Sequence, residues 1–326
     1  MNKDMAEQSN LELKNKPQVI ANNKISISVI VALLTVYIIW GSTYLAIKIA
    51  IVDMPPFFMA GSRNIISGLI MYSVSSFFTK KKISLKQWIN ASMVGIGLLL
   101  IGNGCVAWAE TRMPSGIAAL FIATEPIWIL IISFLTKKDN NITKIDIISI
   151  MLGFVGVIIL VSQNFIGNHT PINLSGVFAV LLASFSWAIG SIIMQRRFIS
   201  DNSFQATSMV MLTGGLFLMI ASFFTEKFSY SDILLISHSS LIAYVYLITL
   251  GSLVGFSAYT WLLGNASMTL ASTYAFVNPV VAVMLGFFLA KEPMNLQIIL
   301  ASGVIILSVV LIVMKDKINL KIFKRS

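Results

Sequence analysis

The polarity of this chain changes over distances far longer than a helical turn. Ten apolar stretches run approximately over 26–49, 57–78, 88–109, 115–136, 145–163, 173–194, 204–225, 240–263, 269–290 and 295–314, with short polar breaks between them. An α-helix rises about 1.5 Å per residue, so roughly 20 apolar residues cross a hydrocarbon core of about 30 Å. The pattern therefore predicts an all-α integral membrane protein with ten transmembrane helices, numbered here as spans 1 to 10. The breaks carry Pro55-Pro56, Lys80-Lys81-Lys82, Pro114, Lys137-Lys138, Pro171, Arg196-Arg197, Gly264-Asn265 and Glu292-Pro293. Those are the turn and charge signals expected where helices end.

Composition removes the alternatives. Of 326 residues, 57% are apolar and 11% are charged, with a mean hydropathy of +0.87; soluble domains carry roughly 25% charged residues. One aqueous core cannot hide that much apolar surface, and a disordered chain would lack it. The single cysteine, Cys105, excludes a disulfide scaffold and a cysteine-ligated metal. About 25 polar residues precede span 1 without a small-residue cleavage site, so span 1 reads as a retained helix.

The net charge of +10 is explained by where the Lys and Arg residues fall. Eighteen of the 23 lie on the side that an even number of spans gives to both termini, whereas Arg112, Lys227 and Lys291 lie on the other. The positive-inside rule then places both termini in the cytoplasm of a multi-pass protein of the inner or plasma membrane, with no nucleic-acid partner required.

The chain also aligns with itself. A constant offset of 153 residues pairs Leu100 with Leu253, Gly102 with Gly255, Trp108 with Trp261, Ala118 with Ala271, Pro126 with Pro279, Phe134 with Phe287 and Lys138 with Lys291. An offset of 147 pairs Trp40 with Trp187. The expected organisation is a cytoplasmic tail (1–25), a first five-helix repeat (26–163), a second (173–314) and a basic cytoplasmic tail (315–326). Five is odd, so the second repeat enters the membrane upside down. Inverted repeats enclose a midplane site and rock around it, which is a transporter's architecture.

An ionisable side chain inside a span costs about 2.5–3.5 kcal/mol on insertion scales, so Glu125 in span 4 and Arg63 in span 2 are candidates for function. Lys48, near the end of span 1, reads as a snorkelling residue. Pro126 and Pro279 remove backbone donors in mid-span and are the expected helix breaks. Phe121 and Glu125 share one face of span 4, and Tyr274 and Asn278 share one face of span 9. Trp40 and Tyr44 in span 1 and Trp187 in span 6, with Ser184 and Ser191 beside it, add aromatic and polar wall material, and Asn103 in span 3 is a further polar candidate. Such a lining suits a small molecule with an apolar body and a polar or charged end. Arg63 and Glu125 either pair with each other or contact substrate. Trp88, Trp108 and Trp261 read as interfacial anchors, and the span glycines, Gly251 and Gly255 among them, read as points of close helix approach.

Only two histidines, His169 and His238, are present, both between spans, so no metal cluster, cofactor or catalytic dyad is expected, and no phosphate-binding glycine loop occurs. The reading is of a carrier and not an enzyme.

The segments WGSTYLAIK (Trp40 to Lys48), FFMAGSRNIISGLI with Arg63, NGCVAWAETRMPSGIAALFIATEPIW (Asn103 to Trp128) and YAFVNPVVAVMLGFFLAKEP (Tyr274 to Pro293) occur in an order that resembles the EamA family of the drug/metabolite transporter superfamily, in particular its ten-span metabolite exporters. The likeness covers about 25 to 314. It implies two inverted five-helix repeats around a central cavity and export of small metabolites. Ala301 and Ser308 stand where the family usually has glycines in the last span. The expected function is export of small amphipathic metabolites, amino acids foremost, by alternating access. The walls would be Trp40, Tyr44, Phe121, Trp187 and Tyr274, with Arg63 on a substrate carboxylate, Glu125 and Asn278 as polar contacts, and Glu125 as a site for protons. The competing expectation is a multidrug pump for lipophilic cations with Glu125 as counter-charge.

Overall fold

The structure is a computed structural model that describes residues 26–78, 83–113, 115–136, 142–162, 173–197, 199–200, 202–227, 232, 234–290 and 296–323. The tail 1–25, His169 and the break residues Lys80 to Lys82, Pro114, Lys137-Lys138, Pro171, Lys291 and Glu292-Pro293 lie outside the described residues. Among the described residues all regular structure is helical. We number the helices α1 (Ile27–Ala50), α2 (Pro56–Phe78), α3 (Leu85–Glu110), α4 (Ser115–Ile122), α5 (Glu125–Leu135), α6 (Lys144–Ser162), α7 (Leu174–Arg196), α8 (Ser203–Thr225), α9 (His238–Asn265), α10 (Met268–Ala271), α11 (Tyr274–Ala290) and α12 (Leu296–Phe323).

Five of these, α1, α3, α7, α8 and α9, are long and apolar enough to cross a bilayer, and shorter apolar helices accompany them. Without water in hydrocarbon, a helix is the element that satisfies its own backbone. The ends are fixed by side chains that accept the orphan amides: Ser26 from Val29 in α1, Asn173 from Ser175 in α7, Asn202 from Phe204 in α8 and Ser237 from Ser240 in α9. Glu226, just past α8, accepts from the amides of Phe57 and Phe58 at 2.8 and 2.9 Å, so its carboxylate caps α2. The outer surface is apolar: Phe77, Phe78, Phe223 and Phe224 are all about four-fifths exposed. A surface of that kind faces lipid.

Packing exchanges partners between the two halves of the chain. α1 packs against α9 and α11, and α7 packs against α3, α4 and α5. α2 pairs with α8, and α6 with α12. In the last pair Ser308 meets Gly153, and Ala301 is fully buried, so the small residues needed for close approach are divided between both helices.

Both α3 and α9 widen into a π-helical stretch, Ile96–Asn103 and Leu247–Phe256. These end on residues that the 153-residue offset pairs. π-Turns carry a weaker hydrogen-bond geometry and recur at functional sites.

Span 4 is interrupted close to the expected position: α4 stops at Ile122, and α5 starts at Glu125 with Pro126 in its first turn. Two features differ from the sequence reading. The break expected at Pro279 lies instead at Ser272-Thr273, and Pro279 sits inside uninterrupted α11. A threonine stands at each interruption, Thr124 donating to the Phe121 carbonyl at 2.6 Å and Thr273 to the Leu270 carbonyl at 2.7 Å. Pro126, in the first turn of α5, loses only an amide that has no helical partner, whereas Pro279, inside α11, removes one donor without ending the helix. Finally, α12 does not stop near 314 but runs to Phe323, because positions 315–323 change in polarity without supplying a glycine or proline.

Candidate functional site

The two breaks place polar groups deep in the bundle. Each break threonine is held by the first helix of the other half: Thr124 bonds Ser184 of α7 at 2.9 Å, and Thr273 bonds Tyr37 of α1 at 2.5 Å. Ser184 follows Tyr37 by the same 147 residues that separate Trp187 from Trp40. The residue after each threonine, Glu125 or Tyr274, starts a new helix, and the Tyr274 hydroxyl donates to Glu125 Oε2. Two helix N-termini thus meet in the interior, where their dipoles favour negative charge.

Beside this junction lies a cavity of about 80 Å³. Its walls are Trp40, Thr43, Tyr44 and Ile47 of α1, Arg63 and Asn64 of α2, and Leu99, Gly102, Asn103 and Val106 of α3. Ile122, Glu125, Ala183, Ser184 and Trp187 continue the lining, and Gly251, Ser252, Phe256, Tyr274 and Asn278 complete it. A cavity of roughly 150 Å³ takes benzene, so about 80 Å³ is less room than one small ring fills.

The rings pack as a connected set. Trp40 lies 5.5 Å from Trp187, 5.0 Å from Tyr274 and 4.9 Å from Tyr259, centroid to centroid. Trp40 Nε1 donates to the Gly251 carbonyl and Trp187 Nε1 to the Tyr259 hydroxyl, each at 3.2 Å. Ser191 shares a further hydrogen bond with Tyr259 at 2.6 Å. A Cβ on Gly255 would stand 2.6 Å from Trp40, and one on Gly102 would stand 2.6 Å from Trp187. Each half therefore lends its tryptophan to the glycine of the other half's π-turn, and only glycine leaves room for it.

Polar capacity is left over. Arg63 Nη2 donates to Asn103 Oδ1 at 2.7 Å, while Arg63 Nε, Glu125 Oε1 and Asn278 Oδ1 are buried without a hydrogen-bond partner. Arg63 is 5% exposed, Glu125 0% and Asn278 1%. Buried polar atoms are normally satisfied, so three orphans around one cavity demand a reason.

Of the residues singled out by sequence, Trp40, Tyr44, Arg63, Asn103, Glu125, Trp187, Tyr274 and Asn278 share this cavity. Phe121 is not among its walls. The break at Ala123-Thr124 turns the chain, and Ile122 lines the cavity in its place. Pro126 and Pro279 are not among the walls. Arg63 and Glu125 are not joined: Oε2 of the acid takes Tyr274, its Oε1 is free, and the guanidinium turns to Asn103. Lys48 is exposed, as expected of a snorkelling residue, and its Nζ donates to the Glu110 carbonyl at 2.6 Å.

Glu110 is the residue that sequence reasoning missed. It is fully buried, and neither carboxylate oxygen has a hydrogen-bond partner. The signal was its spacing: Glu110 follows Asn103 by seven residues and Val106 by four, which puts all three on one helical face.

The sequence profile of the EamA-like transporter family matches residues 27–162 and again 174–314. The protein described as an uncharacterized inner membrane transporter, YedA, of Escherichia coli (strain K12) is 38% identical over 283 residues, covering 86% of this chain and 89% of that one. The transporter YvbV of Bacillus subtilis (strain 168) is 26% identical over 86% of this chain and 90% of its own length. PecM of Dickeya dadantii (strain 3937) is also 26% identical, over 85% of this chain and 89% of its own. A solved crystal structure shares the fold, with a TM-score of 0.71 at 16% identity over 89% of this chain and 98% of that one. The chain is a multi-pass membrane protein that belongs to the EamA-like transporter family.

Proposed function

We propose that this protein exports small amphipathic metabolites, amino acids foremost, by alternating access between two inverted five-helix halves that cross the membrane ten times. The observation that carries the proposal is the convergence of Arg63, Glu125 and Asn278, each with a buried polar atom left unpartnered, on a cavity walled by rings. A guanidinium suits a carboxylate. An acid beside aromatic faces suits an ammonium group. A zwitterion with an apolar side chain presents both ends and a body for the rings. The two matches to the family profile, over 27–162 and 174–314, support two repeats within the chain.

A lipophilic cation is the weaker fit, because Arg63 would stand in the same cavity as the charge it carries. The two readings separate in proteoliposomes loaded with the twenty proteinogenic amino acids or with tetraphenylphosphonium. The expected result is amino-acid efflux that falls by about tenfold or more in Glu125→Gln, the loss expected for one charge-assisted contact. Efflux of tetraphenylphosphonium alone, abolished by the same substitution, would replace the exporter with the cation pump. Repeating the assay with an imposed pH gradient tests the coupling role: rates that ignore the gradient would remove protons from the mechanism.

The orientation has its own test. The charge distribution expects a reporter fused after Ser326 to report from the cytoplasm; an external reporter would overturn that orientation.

A further inference from the structure

We propose that Glu110 is a built-in carboxylate that competes with the substrate's acid group for Arg63 and so drives substrate release at that end of the cavity. The inference rests on Arg63 holding a substrate carboxylate, as set out above.

Glu110 closes α3, where that helix packs against α1 and α2. A carboxylate wholly out of contact with solvent ordinarily takes several hydrogen bonds, and leaving one without any is costly. Glu110 has none on either oxygen. It is no helix cap, since Lys48 holds its main-chain carbonyl and not its side chain. The cations whose charge reaches it are Lys48 of α1 and Arg63 of α2, and Tyr44 also lies within its field. Arg63 in turn has a buried Nε–H with no acceptor. A buried acid and a buried guanidinium, each with an unsatisfied polar atom, thus stand on neighbouring helices within each other's field and are not bonded. In this conformation the guanidinium is turned to Asn103 and the cavity.

That arrangement gives Arg63 two alternatives, the ligand in the cavity it lines or Glu110, which lies outside that lining. A buried guanidinium with no rival would hold a carboxylate too tightly to let it go. With Glu110 in reach, the substrate's acid is exchanged for an internal one, and the carrier resets without leaving a bare cation. The cost is an unsatisfied acid in the state seen here, which is a loss of stability accepted for turnover.

The test uses the full chain reconstituted in proteoliposomes loaded with the twenty proteinogenic amino acids and, separately, with their amides, comparing wild type, Glu110→Gln, Arg63→Gln and the double variant. Glu110→Gln is expected to lower the KM for exported amino acids by about fivefold or more, the lower range of coupling between two sites, and to lower kcat as release slows. The amides should show no change in KM, and the double variant should behave as Arg63→Gln. A merely structural Glu110 would not split KM from kcat in this way. Unchanged KM in Glu110→Gln, with export lost in Arg63→Gln, would overturn this inference and leave the role of Arg63 intact. Normal export by Arg63→Gln would overturn both. Should the wild type move no amino acid, the exporter reading fails, and thermal unfolding in detergent still decides about Glu110. A midpoint that rises in Glu110→Gln supports an unsatisfied acid kept for function, and a midpoint that falls marks it as structural.

Discussion

Arg63→Gln is expected to cut amino-acid efflux by about thirtyfold or more while leaving the protein folded. Removing one partner of a buried, hydrogen-bonded charge pair costs about 2–5 kcal/mol, and about 1.4 kcal/mol is a factor of ten. The structural loss is smaller. Arg63 makes one described side-chain hydrogen bond, to Asn103, and a neutral glutamine can still donate toward that oxygen. Arg63→Lys should recover only part of the activity, because an ammonium keeps the charge but not the planar fork that grips a carboxylate with two parallel bonds. Arg197 is the control. It too donates to an asparagine, Asn90 at 3.0 Å, but it lies past the far end of α7 and does not line the cavity. Arg197→Gln should lower the thermal midpoint without changing the KM of efflux. Equal efflux losses in Arg63→Gln and Arg197→Gln would show that the assay reads stability and not substrate contact.

Why most of these residues could be gathered from sequence, and some could not, follows from what a repeat preserves. The offset of 147 residues relates Trp40 to Trp187, and that of 153 relates Gly102 to Gly255; the structure packs each tryptophan on the glycine of the opposite half. Aromatic, proline and small residues recurring at fixed spacing in apolar segments are rare enough to mark shared positions. Glu125 stands out for the same reason, as a charge deep in an apolar run. The losses came where tertiary contact decides. Glu110 sits at the end of α3, where an acid is ordinary, and only the packing of α1 and α2 over it makes it buried. Phe121 was placed by extending one helical face through a segment that breaks two residues later. The sequence points to Pro279 for the break in the second half, and the structure has it at Ser272-Thr273, one turn and more upstream. Threonine is common inside membrane helices, so its presence alone does not announce a turn.

The reciprocal ring contacts make the second large effect predictable. Gly255→Ala should destabilise the protein by about 1–3 kcal/mol, the usual cost of overfilling a packed interior, and should abolish efflux, with Gly102→Ala acting alike. The new methyl at position 255 would lie 2.6 Å from Trp40 Nε1 and 2.9 Å from its Cδ1, so the indole must move. It cannot do so freely, because Nε1 is bonded to the Gly251 carbonyl and the ring is packed against Tyr259 and Tyr274. At position 102 the clash is with Trp187 Cε3, whose ring is tied to Tyr259 in the same way. Displacing either indole distorts the cavity wall shared by both halves, which is why transport should suffer more than folding. Trp40→Phe removes Nε1, the atom nearest the new methyl, and shrinks the ring, so combining it with Gly255→Ala should cost less than the sum of the two single changes, with a coupling of about 1 kcal/mol between these touching residues. Gly303 supplies the contrast: nothing lies within 4 Å of where its Cβ would be, and it sits inside α12. Gly303→Ala should raise the midpoint, since alanine is favoured over glycine in a helix by up to about 1 kcal/mol. Thermal unfolding in detergent and efflux from proteoliposomes measure both sides. If Gly255→Ala transports as wild type does, the indole is free to move, and the cross-half contact is not what shapes the cavity.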